Sequence, residues 1–280
     1  MAKTYDLSAV HQASLKILKE VDRICRKHHI QYLLDSGTLL GAVRHKGFIP
    51  WDDDADLAFT RENYEKFAKV AEKELPEGME LLKPEQLGGG KAFYDFVPRI
   101  LYLQSRTHED GPEMQHYGGK LNHLYVDLFI LDQLPENKVA AAWTKLCQTV
   151  VYGLAMGRRY RLDYSKYGLV GKAGVGVLAT VGRCIPMRTI YKMQHNLAVK
   201  NQNGSSSLLY YSNYQPDFLY VTLKRQWSEE VVDLPFEDAV LMAPAGWHQI
   251  LTRVYGDYRK LPPEEKRVPT HSSMEIQVYQ

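Results

Sequence analysis

The fold that we expect for this chain is decided by residues Leu33 to Phe59, which read LLDSGTLLGAVRHKGFIPWDDDADLAF. An apolar run ends in small residues, basic residues follow, and four acids then fall within five positions. The last two acids, Asp54 and Asp56, stand two apart where a strand pattern begins. Because strand side chains alternate between the two faces, both carboxylates are expected on the same side.

The small residues Ser36, Gly37 and Thr38 break the preceding strand pattern. We expect them to form a turn, with a short helix over Leu39–Val43 starting from it. Free backbone N–H groups at such a turn or helix start bind phosphate. Two carboxylates on one face repel each other unless a cation or a proton neutralises one of them. The stretch therefore predicts a metal-assisted site for a phosphorylated substrate.

A third acid, Asp127, lies within the apolar strand pattern Tyr125–Leu131. A buried carboxylate is costly unless it is paired or bound to a metal, so Asp127 is a natural partner for Asp54 and Asp56. The alternative is an acid at a strand edge that faces water. Three such carboxylates would hold Mg²⁺ or Mn²⁺, which prefer oxygen ligands, and would thereby serve phosphoryl transfer.

The same residues also suit other chemistries. Paired carboxylates also hydrolyse glycosides when they stand roughly 5–9.5 Å apart, and neighbours two apart on a strand lie ~7 Å apart, so spacing does not exclude this reaction. It would, however, leave the small-residue turn without a role. The histidines lack the spacing of a zinc protease, and no Gly-x-Ser-x-Gly motif occurs.

Hydrophobic periodicity predicts an α+β fold. Helices are expected over 6–29 and 61–74, and strands over 79–82 and 96–103. Helical patterns over 137–160 and 187–202 predict a helical insertion at 137–202 between a core at 1–136 and a C-terminal part at 203–280 that completes it. Within the insertion, the glycine-rich apolar segment 168–186 has basic flanks. It is expected to be a buried or surface-lying helix or to contact a membrane surface, since it is too short and too charged to span a bilayer.

The composition is that of an ordinary globular protein, with 45% hydrophobic and 24% charged residues. A net charge of +2 gives no indication of a nucleic-acid partner. The cysteines, Cys25, Cys147 and Cys184, are far apart and are each expected to be small buried hydrophobes. No signal-peptide pattern is visible at the start, so we expect a reducing, cytoplasmic setting.

The segment from Gly37 to Asp56 closely resembles the signature of the LicD family, bacterial phosphocholine transferases with fukutin-type relatives. Val126–Asp132 is similar to the family's central acidic strand, and Tyr255–Arg267 to its C-terminal block. One departure is Ala55, where the family often has a larger aliphatic residue. The resemblance implies a nucleotidyltransferase-like mixed sheet flanked by helices. It also implies transfer of phosphocholine from CDP-choline to a hydroxyl of a teichoic acid or other cell-surface glycan.

Carried over by position, the resemblance makes Asp54, Asp56 and Asp127 the catalytic metal ligands. Candidate contacts to donor or acceptor are Ser36, Gly37, Thr38, Arg44, Lys46, Trp51, Asp52, Asp53, Asp257 and His271. Arg44 would neutralise the diphosphate or pair with Asp52 or Asp53. Trp51 would stack on a base or on choline, or wedge its loop against the core.

Further alternatives stay open from the sequence. Asp52 and Asp53 would support the metal site or activate the acceptor hydroxyl. Asp257 would contact substrate or cap a helix. The aromatic residues between Tyr210 and Tyr220 would form a choline cage or part of the core. The same acids would also suit transfer of another phosphoalcohol, or a nucleotidyltransferase that releases pyrophosphate.

Overall fold

A computed structural model of the chain describes residues 6–107, 110–202, 204–269 and 277–279. Its helices are α1 (Ser8–Lys27), α2 (Ser36–Arg44), α3 (Arg61–Glu74), α4 (Pro112–His116), α5 (Lys138–Ala155), α6 (Leu169–Arg183), α7 (Met187–Val199) and α8 (Trp247–Tyr255). Its strands are β1 (Leu33–Leu34), β2 (Asp56–Thr60), β3 (Met79–Leu82), β4 (Arg99–Tyr102), β5 (Ser105–Arg106), β6 (Leu124–Leu134), β7 (Leu208–Tyr211), β8 (Thr222–Lys224), β9 (Val231–Phe236), β10 (Ala239–Pro244) and β11 (Gln277–Val278).

Strand β6 is the centre of a mixed sheet. Along one edge it pairs with β2 in parallel, and β1 extends the sheet beyond β2. Along the other edge the first part of β6 pairs with β4 and the last part with β7, both antiparallel, while β3 and β8 lie outside them. Helices pack against this sheet, which confirms the predicted α+β class.

Helices α1 and α3 cover the sheet as amphipathic patterns predict. The buried residues of α1, among them Val10, Ile17, Val21 and Ile24, recur at helical spacing and join the main core. Helix α3 begins after Thr60, whose hydroxyl accepts the N–H of Asn63 and so satisfies one free donor of the first turn. These two helices hold β2 and β6, and therefore their acids, in a fixed position.

Helices α5 to α7 occupy the predicted insertion at 137–202. They enclose a small core of their own that also contains Phe93 and Phe96 from the preceding chain. Within the described residues, no single helix has the length and hydropathy to cross a membrane. Helices α6 and α7 reach that length and hydropathy only when they are taken together, and the pair is bent by 117° at its junction.

Three expectations need correction. The residues Ser36 to Thr38 are not a separate turn, since they form the first turn of α2, which runs to Arg44. The cysteines are all free, but only Cys25 is buried, and Cys184 is exposed on the insertion. Strand β6 also extends to Leu134, beyond the predicted end, because β7 pairs with its last residues.

Candidate active site

The three predicted acids meet where β2 begins. Asp56 is the first residue of β2 and lies opposite Asp127 in the parallel register with β6. The N–H of Asp127 donates to the carbonyl of Ala55 at 3.1 Å, which fixes this register. Burial raises the pKa of Asp56 well above its ordinary value, and the charges of Asp54 and Asp127 raise it further. These carboxylates therefore form one acidic cluster.

Asp127 has a cationic partner that the sequence analysis missed. Arg99 lies opposite Asp127 in the β4–β6 register. Its Nε atom lies 2.8 Å from Asp127 Oδ1. Arg99 also donates to Asp95 and lies over the ring of Tyr125, with its side chain only 3% exposed. Burial opposes its charge, but Asp127 and Asp95 outweigh this and raise its pKa. In the sequence, a charged residue within the apolar run Val97–Leu101 is the feature that indicates a buried ion pair.

A fourth acid, Asp35, lies next to Asp56 and is absent from the residues predicted from the sequence. It is buried, and it accepts hydrogen bonds from the hydroxyls of Tyr211 at 2.7 Å and Ser36 at 3.1 Å. Its N–H donates to the carbonyl of Asp56 at 3.2 Å. Burial raises the pKa of Asp35, although the hydrogen bonds act in the opposite direction. In the sequence, the position of Asp35 between an apolar strand and the start of a helix is the feature that indicates a role at the site.

The first turn of α2 contacts this cluster directly. The hydroxyl of Thr38, which is buried, accepts the N–H of Asp56 at 2.8 Å and ties α2 to β2. A Cβ at Gly37 would collide with the carboxylate of Asp52, so glycine is required for this approach. Ser36 has a φ of +47°, a strained conformation for a residue with a side chain. The helix start predicted to bind phosphate thus lies beside the acids, with Asp52 next to it.

Arg44 and Lys46 lie at the other end of α2. Arg44 is half-buried and donates to the carbonyl of Tyr258 at 3.0 Å and to His45 at 2.9 Å, which links α2 to the chain after α8. Burial lowers the pKa of Arg44. Lys46 is exposed, and its carbonyl accepts the N–H of Glu237 in the β9–β10 hairpin. Their predicted contact with a diphosphate stays a prediction.

Trp51 is half-buried and packs against the main core. His45 meets its ring edge-on, with centroids 6.1 Å apart. The guanidinium of Arg267 lies 5.6 Å from the ring centroid. The structure thus shows the packing that one of the two alternatives for Trp51 requires, whereas stacking on a ligand stays a prediction.

Aromatic side chains surround the acids on the β7 side. Tyr214 stacks on Phe218, with ring centroids 4.2 Å apart, and lies tilted against Phe129, with centroids 4.4 Å apart. Burial raises the pKa of Tyr214, and Asp56 and Asp127 raise it further, so its ring lies within their field. Tyr210, by contrast, is fully buried in the core behind β6. Part of the predicted aromatic cluster is therefore core, and part borders the site.

The remaining predicted residues lie in different surroundings. Asp53 is buried, with 1% of its surface exposed. Asp257 is exposed in the turn after α8, next to Gly256, which has a φ of +68°. Asp257 does not cap α8 at its N-terminus, since it follows the helix. His271 lies outside the described residues.

The carboxylate oxygens of the acidic cluster are the kind of ligand that a divalent cation of the magnesium class prefers. Asp54, Asp56 and Asp127 offer carboxylate oxygens, and their mutual repulsion would be relieved by a cation. Arg99 balances part of this charge from the β4 side. Among the described residues, no three His, Cys, Asp or Glu side chains stand at metal-holding distances, so the carboxylates would have to turn to bind an ion.

The sequence of this chain is similar to that of known proteins. The family described as "LicD/FKTN/FKRP, nucleotidyltransferase domain" matches residues 29–152, which include α2 and every acid of the cluster. The Haemophilus influenzae protein named lipopolysaccharide cholinephosphotransferase LicD is 29% identical over 273 residues, 92% of each chain.

Two uncharacterized Rickettsia proteins match a shorter part of the chain. The Rickettsia typhi protein is 41% identical over 69 residues, 24% of this chain and 22% of its own. The Rickettsia prowazekii protein is 44% identical over 62 residues, 22% of this chain and 23% of its own. Together with the acids at β2 and β6, the family match confirms the resemblance seen in the sequence. Over residues 29–152, this chain is similar to the nucleotidyltransferase domain of the LicD family.

Proposed function

We propose that this protein is a metal-dependent transferase that moves phosphocholine from CDP-choline to a hydroxyl of a cell-surface glycan. The observation that carries the proposal is the pairing of Asp56 with Asp127 in adjacent parallel strands, with Asp54 beside them and the start of α2 in contact. The similarity to a lipopolysaccharide cholinephosphotransferase along nearly the whole chain supports the same reaction class.

The acids would hold Mg²⁺ or Mn²⁺ through Asp54, Asp56 and Asp127. Such an ion supplies charge neutralisation for the donor phosphates. Arg99 keeps the Asp127 carboxylate directed into the cluster, and Thr38 keeps the Asp56 backbone in place. The N–H groups of the first turn of α2 would contact donor phosphate if Asp52 moves aside.

Aromatic faces beside the acids suit the choline end of the donor. A quaternary ammonium binds over aromatic rings, and Tyr214 and Phe218 form a stacked pair at the border of the site. Trp51 is the other aromatic candidate, although Arg267 lies over its ring. We assign the choline contact to Tyr214, because the nearby carboxylates also attract a cation.

The acceptor is a glycan hydroxyl in this proposal. The name of the Haemophilus influenzae relative points to lipopolysaccharide, and a teichoic acid offers comparable hydroxyls. Asp52 lies near the helix start and the acids, and in this proposal it accepts the proton of the attacking hydroxyl. Asp53 is too buried to contact a sugar without rearrangement.

The reaction is tested by incubating the protein with CDP-choline labelled on choline, Mg²⁺ and a glycan acceptor. Labelled glycan together with released CMP is the expected result. A second candidate, a nucleotidyltransferase that forms an activated donor, is favoured by the family description and would release pyrophosphate from a nucleoside triphosphate instead. Release of pyrophosphate without release of CMP would contradict the proposed transferase activity.

The donor is tested separately by thermal unfolding. CDP-choline should raise the melting temperature more than CDP-glycerol or CDP-ribitol at equal concentration, since only choline offers a cation to Tyr214. Stabilisation by one of the other donors, without stabilisation by CDP-choline, would show that a different phosphoalcohol is transferred.

A further inference from the structure

The charge of this chain is unevenly distributed. The insertion at 137–202 contains eleven Lys and Arg residues and a single acid, Asp163, whereas the remaining chain contains 24 basic and 32 acidic residues. The formal net charge is thus +10 in the insertion and −8 elsewhere. The small net charge of the whole chain conceals this asymmetry, which indicates an anionic partner for the insertion.

The same insertion exposes apolar side chains on α5. Val139, Trp143, Leu146 and Val150 follow at helical spacing and form one face of the helix. Trp143 is 63% exposed, which is unusual for so large an apolar side chain. Isolated exposed apolar residues need no explanation, but a continuous face of four marks an interaction surface.

Helix α6 extends this surface. By helical spacing, the exposed face of α5 continues at Gly153, where α6 packs closely through Leu178. Ala179 of α6 packs against Gly157, in the 3₁₀ turn that follows α5. The opposite side of α6 exposes Leu169, Val170, Val177 and Val181, with Val170 89% exposed. Helix α6 therefore covers only the end of the α5 face and adds an apolar face of its own.

Basic side chains accompany these apolar faces. Exposed Arg161 and Lys166 lie in the loop that leads into α6, and Lys172 lies in its first turns. Amphipathic helices that lie on membranes combine apolar faces that enter the headgroup boundary with cations that attract anionic lipids. An RNA-binding surface would use the positive charge but would give no role to four exposed valines and leucines on α6.

We propose that the insertion docks the protein onto an anionic lipid bilayer through the apolar faces of α5 and α6, with its basic residues bound to lipid headgroups. The docking surface consists of Val139, Trp143, Leu146, Val150, Leu169, Val170, Val177 and Val181 together with Arg161, Lys166 and Lys172. Docking is independent of the reaction at the acidic cluster and is tested without catalysis.

The insertion is also joined to the acidic cluster. Arg159 of the insertion donates to the carbonyl of Tyr94 at 2.6 Å, and the ring of Tyr94 lies 5.3 Å from the guanidinium of Arg99. Arg99 in turn pairs with Asp127. A docked insertion would therefore hold the cluster at a fixed place relative to the bilayer.

The test is co-sedimentation of the full chain with vesicles of phosphatidylcholine alone or with about one-third phosphatidylglycerol, at about 0.05 and 0.5 M salt. Binding to the anionic vesicles at low salt is expected, with weaker binding to neutral vesicles. Replacing Arg161, Lys166 and Lys172 by Glu should weaken binding by at least ~100-fold, because each basic residue near the surface contributes several-fold to affinity. The double variant Val170→Glu with Val177→Glu should also lose binding.

Matched controls lie outside the insertion. The triple variant Lys66→Glu, Lys69→Glu and Lys73→Glu on α3 makes the same change in charge, and Val240→Glu replaces an exposed valine of β10. Both should bind anionic vesicles as the unmodified chain does. Failure of the unmodified chain to bind at low salt, equal losses in the controls, or binding of a single-stranded RNA without binding of vesicles would each overturn the proposal.

Discussion

Arg99 Nε lies 2.8 Å from Asp127 Oδ1, and the two residues stand opposite each other in β4 and β6. The ion pair lets an acid lie inside an apolar strand, since the buried guanidinium offsets the cost of removing the carboxylate from water. It also fixes one oxygen of Asp127 while its side chain stays 23% exposed toward the cluster. Arg99 therefore positions a proposed metal ligand from outside the proposed metal site.

Replacing Arg99 by Met should destabilise the fold by ~3–5 kcal/mol, because the substitution leaves Asp127 and Asp95 without their buried cation. Arg99→Lys keeps the charge but cannot bridge both carboxylates, so its loss of stability should be smaller. Urea unfolding measures both variants. Equal stability of the Met variant and the unmodified chain would show that the ion pair contributes nothing to the free energy of unfolding.

Replacing both Asp54 and Asp56 by Asn should abolish phosphocholine transfer and leave the fold intact. Removing two repelling carboxylates should also keep or raise the free energy of unfolding at neutral pH. The melting temperature of the unmodified chain should rise with Mg²⁺, and that of the double variant should not.

A suitable control for this double variant is Glu229→Gln with Glu230→Gln, which removes two exposed carboxylates far from the cluster in sequence. Its activity and its response to Mg²⁺ should match those of the unmodified chain. Turnover that persists in the Asp54 and Asp56 variant would rule out these residues as metal ligands.

Thr38→Val tests the link between α2 and β2. The substitution preserves shape but removes the acceptor of the buried Asp56 N–H, so it should cost ~1–3 kcal/mol in stability and reduce transfer. Thr38→Ser retains the hydroxyl and should lose less. Unfolding curves and initial rates measure the two variants, and identical stability of Val and Ser at this position would contradict the role of the hydroxyl.

Asp35 predicts a pH dependence of stability. Burial raises its folded pKa above the unfolded value, so between the two values the folded chain binds more protons. The free energy of unfolding should therefore fall as the pH rises through this interval. Asp35→Asn keeps an acceptor for the Tyr211 hydroxyl and removes the titration, so its stability should fall less over the same range. Urea unfolding at several pH values measures this, and an unchanged slope would exclude Asp35 as the source.

Much of the fold could be read from local patterns. The period of α1 and α3, the strand at β2 and the acid within β6 depend on neighbours in sequence, and each was found in place. The boundaries were less accurate, since β6 runs to Leu134 only because β7 pairs with its end. Local sequence does not distinguish the first turn of α2 from a separate turn, because Ser36 and Gly37 are typical of both.

The partners of the acids could not be predicted in the same way. Arg99 and Asp127 are separated by 28 positions and Asp35 and Tyr211 by 176, and nothing local joins them. The charge asymmetry of the insertion was present in the sequence and was hidden by the net charge of +2.

The sequence by itself determined which acids are present, the spacing of two positions between Asp54 and Asp56, and a short helix ahead of them, because these features depend on neighbouring residues. Only the tertiary structure decided which distant side chains stabilise those acids and that Asp52 lies beside Gly37. The register between β2, β6 and β4 brings Asp56, Asp127 and Arg99 together, and such a register results from strand pairing over the whole sheet.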